Sequence, residues 1–266
     1  MDRFRKESPT MRISLYATIL ALVFGAGAVS ANEGGHAAGW ERAADNEVGN
    51  LPSLQRGARN FMAYCSGCHS LKFVRYSRVC QDLKIAEAQC ESLLLRPGDK
   101  AIDYIHTSMP PADATEWFGK APPDLSLVTR SRGSDWVFNF LTTFYADPAS
   151  RQTGVNNLQL PGTAMPHVLA SVQGVQNAVW RNVEHEGEDG KPVIAREFEK
   201  FEPGVVGSVT PAQYDEFVRD TVNFLQYAGD PTQLEREGIG IWVVLFLLMF
   251  CGIAYMLKQE YWKDVR

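Results

Sequence analysis

Cys65-Ser66-Gly67-Cys68-His69 decides how the rest of this chain is read. It is a C-x-x-C-H run, the attachment signature of a c-type haem. Two thiols three positions apart on one helical turn reach the vinyl groups on one edge of a porphyrin, and the adjacent imidazole then comes up under the iron as the proximal ligand. Zinc is the rival reading. Cys68 and His69 are adjacent and make a poor tetrahedral pair, and no second C-x-x-C or H-x-x-x-H completes four-coordination among the five Cys and five His. The motif therefore predicts one covalently bound haem c, with Cys65 and Cys68 as thioethers and His69 on the iron.

The chain ends tell where that haem is made. Arg3, Arg5, Lys6 and Arg12 precede an apolar run from Ile13 to Val29, which closes in Ala28-Val29-Ser30-Ala31. Basic, apolar, then small is the pattern of a secretory signal peptide, expected over 1–31 and cleaved after Ala31. Met11 is an alternative start. The second apolar run, Ile239 to Leu257, holds 19 residues without a charge. At about 1.5 Å per residue it spans roughly 28 Å, the thickness of a bilayer's hydrocarbon core. Trp242, Tyr255, Tyr261 and Trp262 sit at its ends as interfacial aromatics do. Lys258, Lys263 and Arg266 follow, which puts the tail 258–266 in the cytoplasm and the haem domain, 32–238, in the periplasm of a bacterial inner membrane.

Of the chain's 31 acidic and 26 basic residues, the segment 32–238 keeps 27 and 19, a net charge of −8. That argues against nucleic acid and suits a basic soluble partner. Glu184, Glu186, Glu188 and Asp189 are candidates for steering it. Leu51 to Tyr64 reads as a helix that ends in the haem motif. Pro211 to Tyr227 reads as a second, with Thr210 as N-cap and an apolar stripe through Tyr214, Val218, Val222 and Leu225. Gly57 and Phe61 share a face of the first and are expected to pack on the second. Trp136 to Tyr145 is a shorter helical candidate. Residues 97–135 and 146–210 are rich in Pro, Gly and Asp and read as loops. No strand pattern stands out, so the expected fold class is all-α.

A proximal His leaves one axial position open. Met109, in His106-Thr107-Ser108-Met109-Pro110-Pro111, and Met165, in Pro161-Gly162-Thr163-Ala164-Met165-Pro166, each sit in a Pro-bounded loop that can hold a thioether over iron. His106 and His167 are further candidates. Spacing alone does not separate them.

The whole set resembles the cytochrome c1 family, the membrane-anchored c-haem subunit of the cytochrome bc1 complex. The resemblance rests on Cys65 to Leu71, Ala121-Pro122-Pro123-Asp124-Leu125-Ser126, Leu160 to Pro166, Asp220-Thr221-Val222-Asn223-Phe224-Leu225, and the single anchor with its short basic tail. It implies a cytochrome c-like haem domain with long loop insertions plus one C-terminal transmembrane helix. It also implies Met165 as the second axial ligand, with Met109 the runner-up, and Arg130 as a partner of a haem propionate. The implied function is one-electron relay within quinol–cytochrome c reductase, from the Rieske iron–sulfur protein beside cytochrome b to a cytochrome c, in a dimeric complex and with no substrate chemistry of its own. A stand-alone anchored cytochrome serving a terminal oxidase, or a haem peroxidase, are the rivals. The sequence departs from many relatives around Cys80 and Cys90, where an oxidising compartment favours a disulfide worth roughly 3 kcal/mol. Cys251, inside the span, reads as apolar filling.

Overall fold

The structure, a computed structural model, describes residues 40–150, 152–186 and 192–264. The leader expected over 1–31 lies outside them. In chain order the elements are α1 (Leu51–Tyr64), β1 (Leu71–Arg75), α2 (Tyr76–Asp82), α3 (Glu87–Leu93), β2 (Tyr104–Ile105), α4 (Pro111–Phe118), α5 (Val128–Arg132) and α6 (Ser134–Thr142). They continue with β3 (Phe144–Ala146), β4 (Val155–Asn157), α7 (Ala170–Gln173), β5 (Gly174–Glu186), β6 (Pro192–Val206), α8 (Pro211–Gly229) and α9 (Gln233–Tyr261).

The crossing of α1 and α8 organises the domain. Asn50 caps α1 by accepting from the Ser53 N–H, and Pro52 fills the first turn, where a missing N–H costs nothing. Thr210 and Gln213 close a capping box on α8, with Pro211 at its first position. Gly57 is the contact point. A Cβ there would overlap the Asp220 carbonyl and lie 2.7 Å from the Phe224 Cβ, so only glycine lets the two backbones approach this closely. One turn on, the rings of Phe61 and Phe224 lie 5.8 Å apart. Phe61, Val218, Val222 and Phe224 are all buried, and each contributes on the order of 2 kcal/mol through burial. Arg56 straps the pair together by donating from Nε to Asp220 at 2.6 Å. The segment before α1 is tied to α6: the Asn139 side chain exchanges two hydrogen bonds with the Arg42 backbone, at 3.0 and 2.9 Å.

The expectation of an all-α fold is corrected. Three two-stranded antiparallel sheets, β1–β2, β3–β4 and β5–β6, stand among the described residues. The largest, β5–β6, pairs Gly174 with Val206 and runs out to Glu186 opposite Pro192, inside the region read as loop. Its signal was blurred for physical reasons. The ribbon carries polar residues on both faces, so no clean period-two alternation develops. Two register shifts, at Val175/Gln176 and Val179/Trp180, break what pattern there is, and Pro203 and Gly204 sit within β6. Helix α6 also stops at Thr142, three residues short of the expected end, because Phe144 to Ala146 turn into β3.

Cys80 on α2 and Cys90 on α3 are joined by a disulfide with Cα atoms 5.9 Å apart, so the expected pairing is present. Helix α9 contains the whole uncharged run 239–257, and none of its residues is buried against the rest of the chain. It is long and apolar enough to cross a membrane.

Candidate haem centre

The haem motif continues α1 as a tight turn. The Cys65 N–H donates to the Phe61 carbonyl at 2.8 Å, and the Cys68 and His69 N–H groups both return to the Cys65 carbonyl, at 3.1 and 2.8 Å. This winding puts both sulfurs and the imidazole on one side of the chain. Burial pushes the Cys65 thiol up to about 12, with Cys68 adding to the shift, and burial also raises Cys68.

His69 is held from behind. Its Nδ1 lies 2.7 Å from the Pro123 carbonyl oxygen, which can only accept. Nδ1 therefore carries the proton, and Nε2 keeps its lone pair for a metal. Burial lowers the His69 pKa, against smaller opposing effects of the Pro123 bond and the Asp124 charge. The ring is thus neutral at physiological pH, as a ligand must be. The Pro122-Pro123-Asp124-Leu125 loop that supplies this bond is stitched to the chain just after His69. Asp124 accepts from the Lys72 and Ser126 N–H groups at 2.9 and 3.0 Å, and the Leu125 N–H donates to the Ser70 carbonyl at 2.9 Å.

The Met165 loop is anchored by a residue that sequence reading missed. Asn157, fully buried at the end of β4, accepts from the Gln159 and Leu160 N–H groups at 2.9 and 3.0 Å and donates to the Phe140 carbonyl at 2.7 Å. Its neighbour Asn156 accepts from the Gly162 N–H at 2.8 Å. Two adjacent asparagines, just before a Pro-Gly turn, were the available signal.

Cys65, Cys68, His69 and Met165 line one cavity of about 830 Å³. Its walls come from Trp136, Val137, Phe140 and Leu141 of α6, Val168 and Leu169 beyond Met165, and Phe217, Thr221 and Leu225 of α8. Met109, His106 and His167 are not among the lining residues. His167 instead stacks on Phe144, with centroids 5.0 Å apart, and its Nε2 faces the Gly174 carbonyl. A porphyrin fits this chamber on three counts: an apolar interior of suitable volume, two thiols beside a lone-pair-bearing imidazole, and cations for two propionates. Those cations are Lys72, Lys120 and Arg132. Arg130, which the resemblance implies as a propionate partner, does not line the cavity. It points to Asp230, with Nη1 at 3.1 Å. Positions 130 and 132 are two apart on α5 and so face opposite ways, which is why Arg132 reaches the cavity instead. Arg132 lies over the Trp136 ring, 5.0 Å from its centroid. Of the acidic candidates for steering, Glu184 is exposed on β5; Glu188 and Asp189 lie outside the described residues, as does the side chain of Glu186.

An apolar haem chamber closed by a C-x-x-C-H turn, carried on a domain with one long apolar helix, defines a membrane-anchored c-type cytochrome. A family model described as the Cytochrome C1 family matches residues 40–178 and 206–265, leaving out most of the β5–β6 hairpin. A cytochrome c1 of Allochromatium vinosum is 48% identical over 84% of this chain and 88% of its own length. A protein of Nitrosomonas europaea named ammonia monooxygenase gamma subunit is 39% identical over 80% and 83%. A cytochrome c1 of Rhodospirillum rubrum is 28% identical over 95% and 97%. The chain belongs to the cytochrome c1 family. It carries covalently bound haem c and is a membrane-anchored electron carrier of the cytochrome bc1 complex.

Proposed function

We propose that this chain takes single electrons from a Rieske iron–sulfur protein and delivers them to a cytochrome c, beside cytochrome b in a dimeric quinol–cytochrome c reductase. The haem supplies a one-electron iron couple. Cys65 and Cys68 would hold it through thioether bonds, and His69 and Met165 would ligate its iron. The observation that carries this reading is that these four side chains line one cavity while Met109 does not. With both His69 and Met165 on the iron, oxygen or peroxide would find no free ligand position, which favours relay over peroxidase chemistry. Met165 ligation and the apolar walls would both favour the reduced state and raise the potential. Arg132, with Lys72 or Lys120, neutralises the propionates. The haem domain lies in the periplasm after removal of residues 1–31, with 239–257 in the bilayer and 258–266 in the cytoplasm, supported by the basic residues that follow the span.

The test is purification of the intact complex through a tag on this chain. Cytochrome b and an iron–sulfur protein are expected to accompany it, and added quinol is expected to reduce this chain's haem only while the iron–sulfur protein is present. Full reduction by quinol after that protein is stripped away, or recovery of the chain without any cytochrome b, contradicts the proposal.

A further inference from the structure

Helix α5 has two faces with two different duties. Val128, Ser131 and Arg132 line the haem cavity, whereas Thr129 and Arg130 lie against the end of α8. Thr129 donates from its hydroxyl to the Leu225 carbonyl at 3.3 Å. A Cβ on Gly229 would come within 3.2 Å of the Thr129 hydroxyl and 3.3 Å of the Arg130 Cγ, so these α5 side chains pack closely on the end of α8. The next residue is Asp230. Its Oδ2 receives Arg130 from the cavity wall at 3.1 Å and Arg236 from the first turns of α9 at 2.6 Å. Thr232 donates to its other oxygen at 3.2 Å. Asp230 is only 12% exposed, while the two arginines are more than half exposed. Burial alone would raise the Asp230 pKa, but Arg236, Thr232 and Arg130 more than offset it and hold the carboxyl below its usual range. A second bridge runs alongside: Gln226 accepts from the Ser134 hydroxyl at the start of α6 and donates to Gln233 at the start of α9.

Only three residues, Asp230-Pro231-Thr232, separate α8 from the anchor, and Pro231 restricts the backbone of that link. Such a link without lateral contacts is a hinge. We infer that Asp230 is a positioning residue: by gripping Arg130 and Arg236 at once, it fixes the tilt of the haem-cavity wall relative to the membrane anchor. The inference rests on the haem lying in this cavity and on α9 crossing the bilayer. Its consequence for the relay is geometric, because the haem is then presented to its partners at one angle to the membrane rather than over a range.

The experiment is electron paramagnetic resonance of the ferric haem in oriented membrane multilayers holding the intact complex, recorded for wild type, Asp230→Asn and Arg236→Gln. The wild type is expected to show a strong dependence of the haem signal on sample angle. Both variants are expected to keep the optical spectrum of a six-coordinate haem but to lose most of that dependence, and Arg236→Lys is expected to restore it in large part. Arg236→Gln keeps the test open should Asp230→Asn fold poorly, since it alters only the anchor side of the clamp. An angular dependence as sharp in Arg236→Gln as in wild type overturns the inference. A wild-type signal with no angular dependence removes the membrane reading itself, and the clamp with it.

Discussion

Asn157→Ala is the most informative single change in the domain. The side chain is wholly buried and makes three good hydrogen bonds to backbone, with Phe140, Gln159 and Leu160. Each is worth about 1 kcal/mol net, and the groups left behind without a partner cost more, so the variant is expected to lose about 3–5 kcal/mol. That is a large part of a typical stability of about 5–15 kcal/mol. The loss is not spread evenly. Leu160 opens the loop that ends at Met165, so local release of this loop precedes global unfolding. Denaturant unfolding followed by far-ultraviolet circular dichroism reads the global loss, and the thioether-to-ferric-iron charge-transfer band reads the loop. The band is expected to fade at denaturant concentrations that leave the helices intact. A loss below about 1 kcal/mol with a full-strength band would refute the reasoning that Asn157 holds this loop.

Gly57→Ala gains helix propensity of about 1 kcal/mol but forces α1 from α8, so a net loss of roughly 2 kcal/mol or more is expected in thermal melts. Replacing Cys80 and Cys90 together by Ser removes a ten-residue cross-link and is expected to cost about 3 kcal/mol while leaving the haem spectrum intact. Exchanging 181–199 for a short turn is expected to leave haem loading and axial ligation unchanged, since none of the described residues of that segment lines the cavity. Tyr76 donates to Asp99 at 2.8 Å, and burial followed by that bond raises its pKa to about 12 from 10.0. The folded state thus favours the neutral phenol. This contribution is complete below about pH 10 and is lost as pH rises toward 12. Tyr76→Phe is expected to flatten that alkaline decline in stability-versus-pH measurements.

How much of this was legible in the chain depended on how local each signal was. The C-x-x-C-H run, the helix 51–64 with Gly57 on its packing face, the Thr210-Pro211 start and the uncharged span 239–257 are encoded within a few turns, and the structure has each of them. The β5–β6 ribbon was hidden because both faces are mixed and its register is twice interrupted, although Asp189-Gly190 between two Val- and aromatic-bearing stretches was a hairpin signal. The difference between Met109 and Met165 lay in three-dimensional placement, beyond the reach of spacing alone. Arg130 and Arg132 needed only a helix between Leu125 and Gly133; with 127–133 read as loop, their opposite orientation had no basis.

The central claim is a haem held by His69 and Met165 as well as by two cysteines. The most direct measurement is the optical and magnetic spectrum of ferric Met165→Leu beside Met109→Leu. The account predicts that Met165→Leu loses its low-spin histidine–methionine signature while Met109→Leu keeps it. Loss of that signature in Met109→Leu, with Met165→Leu unchanged, would contradict it.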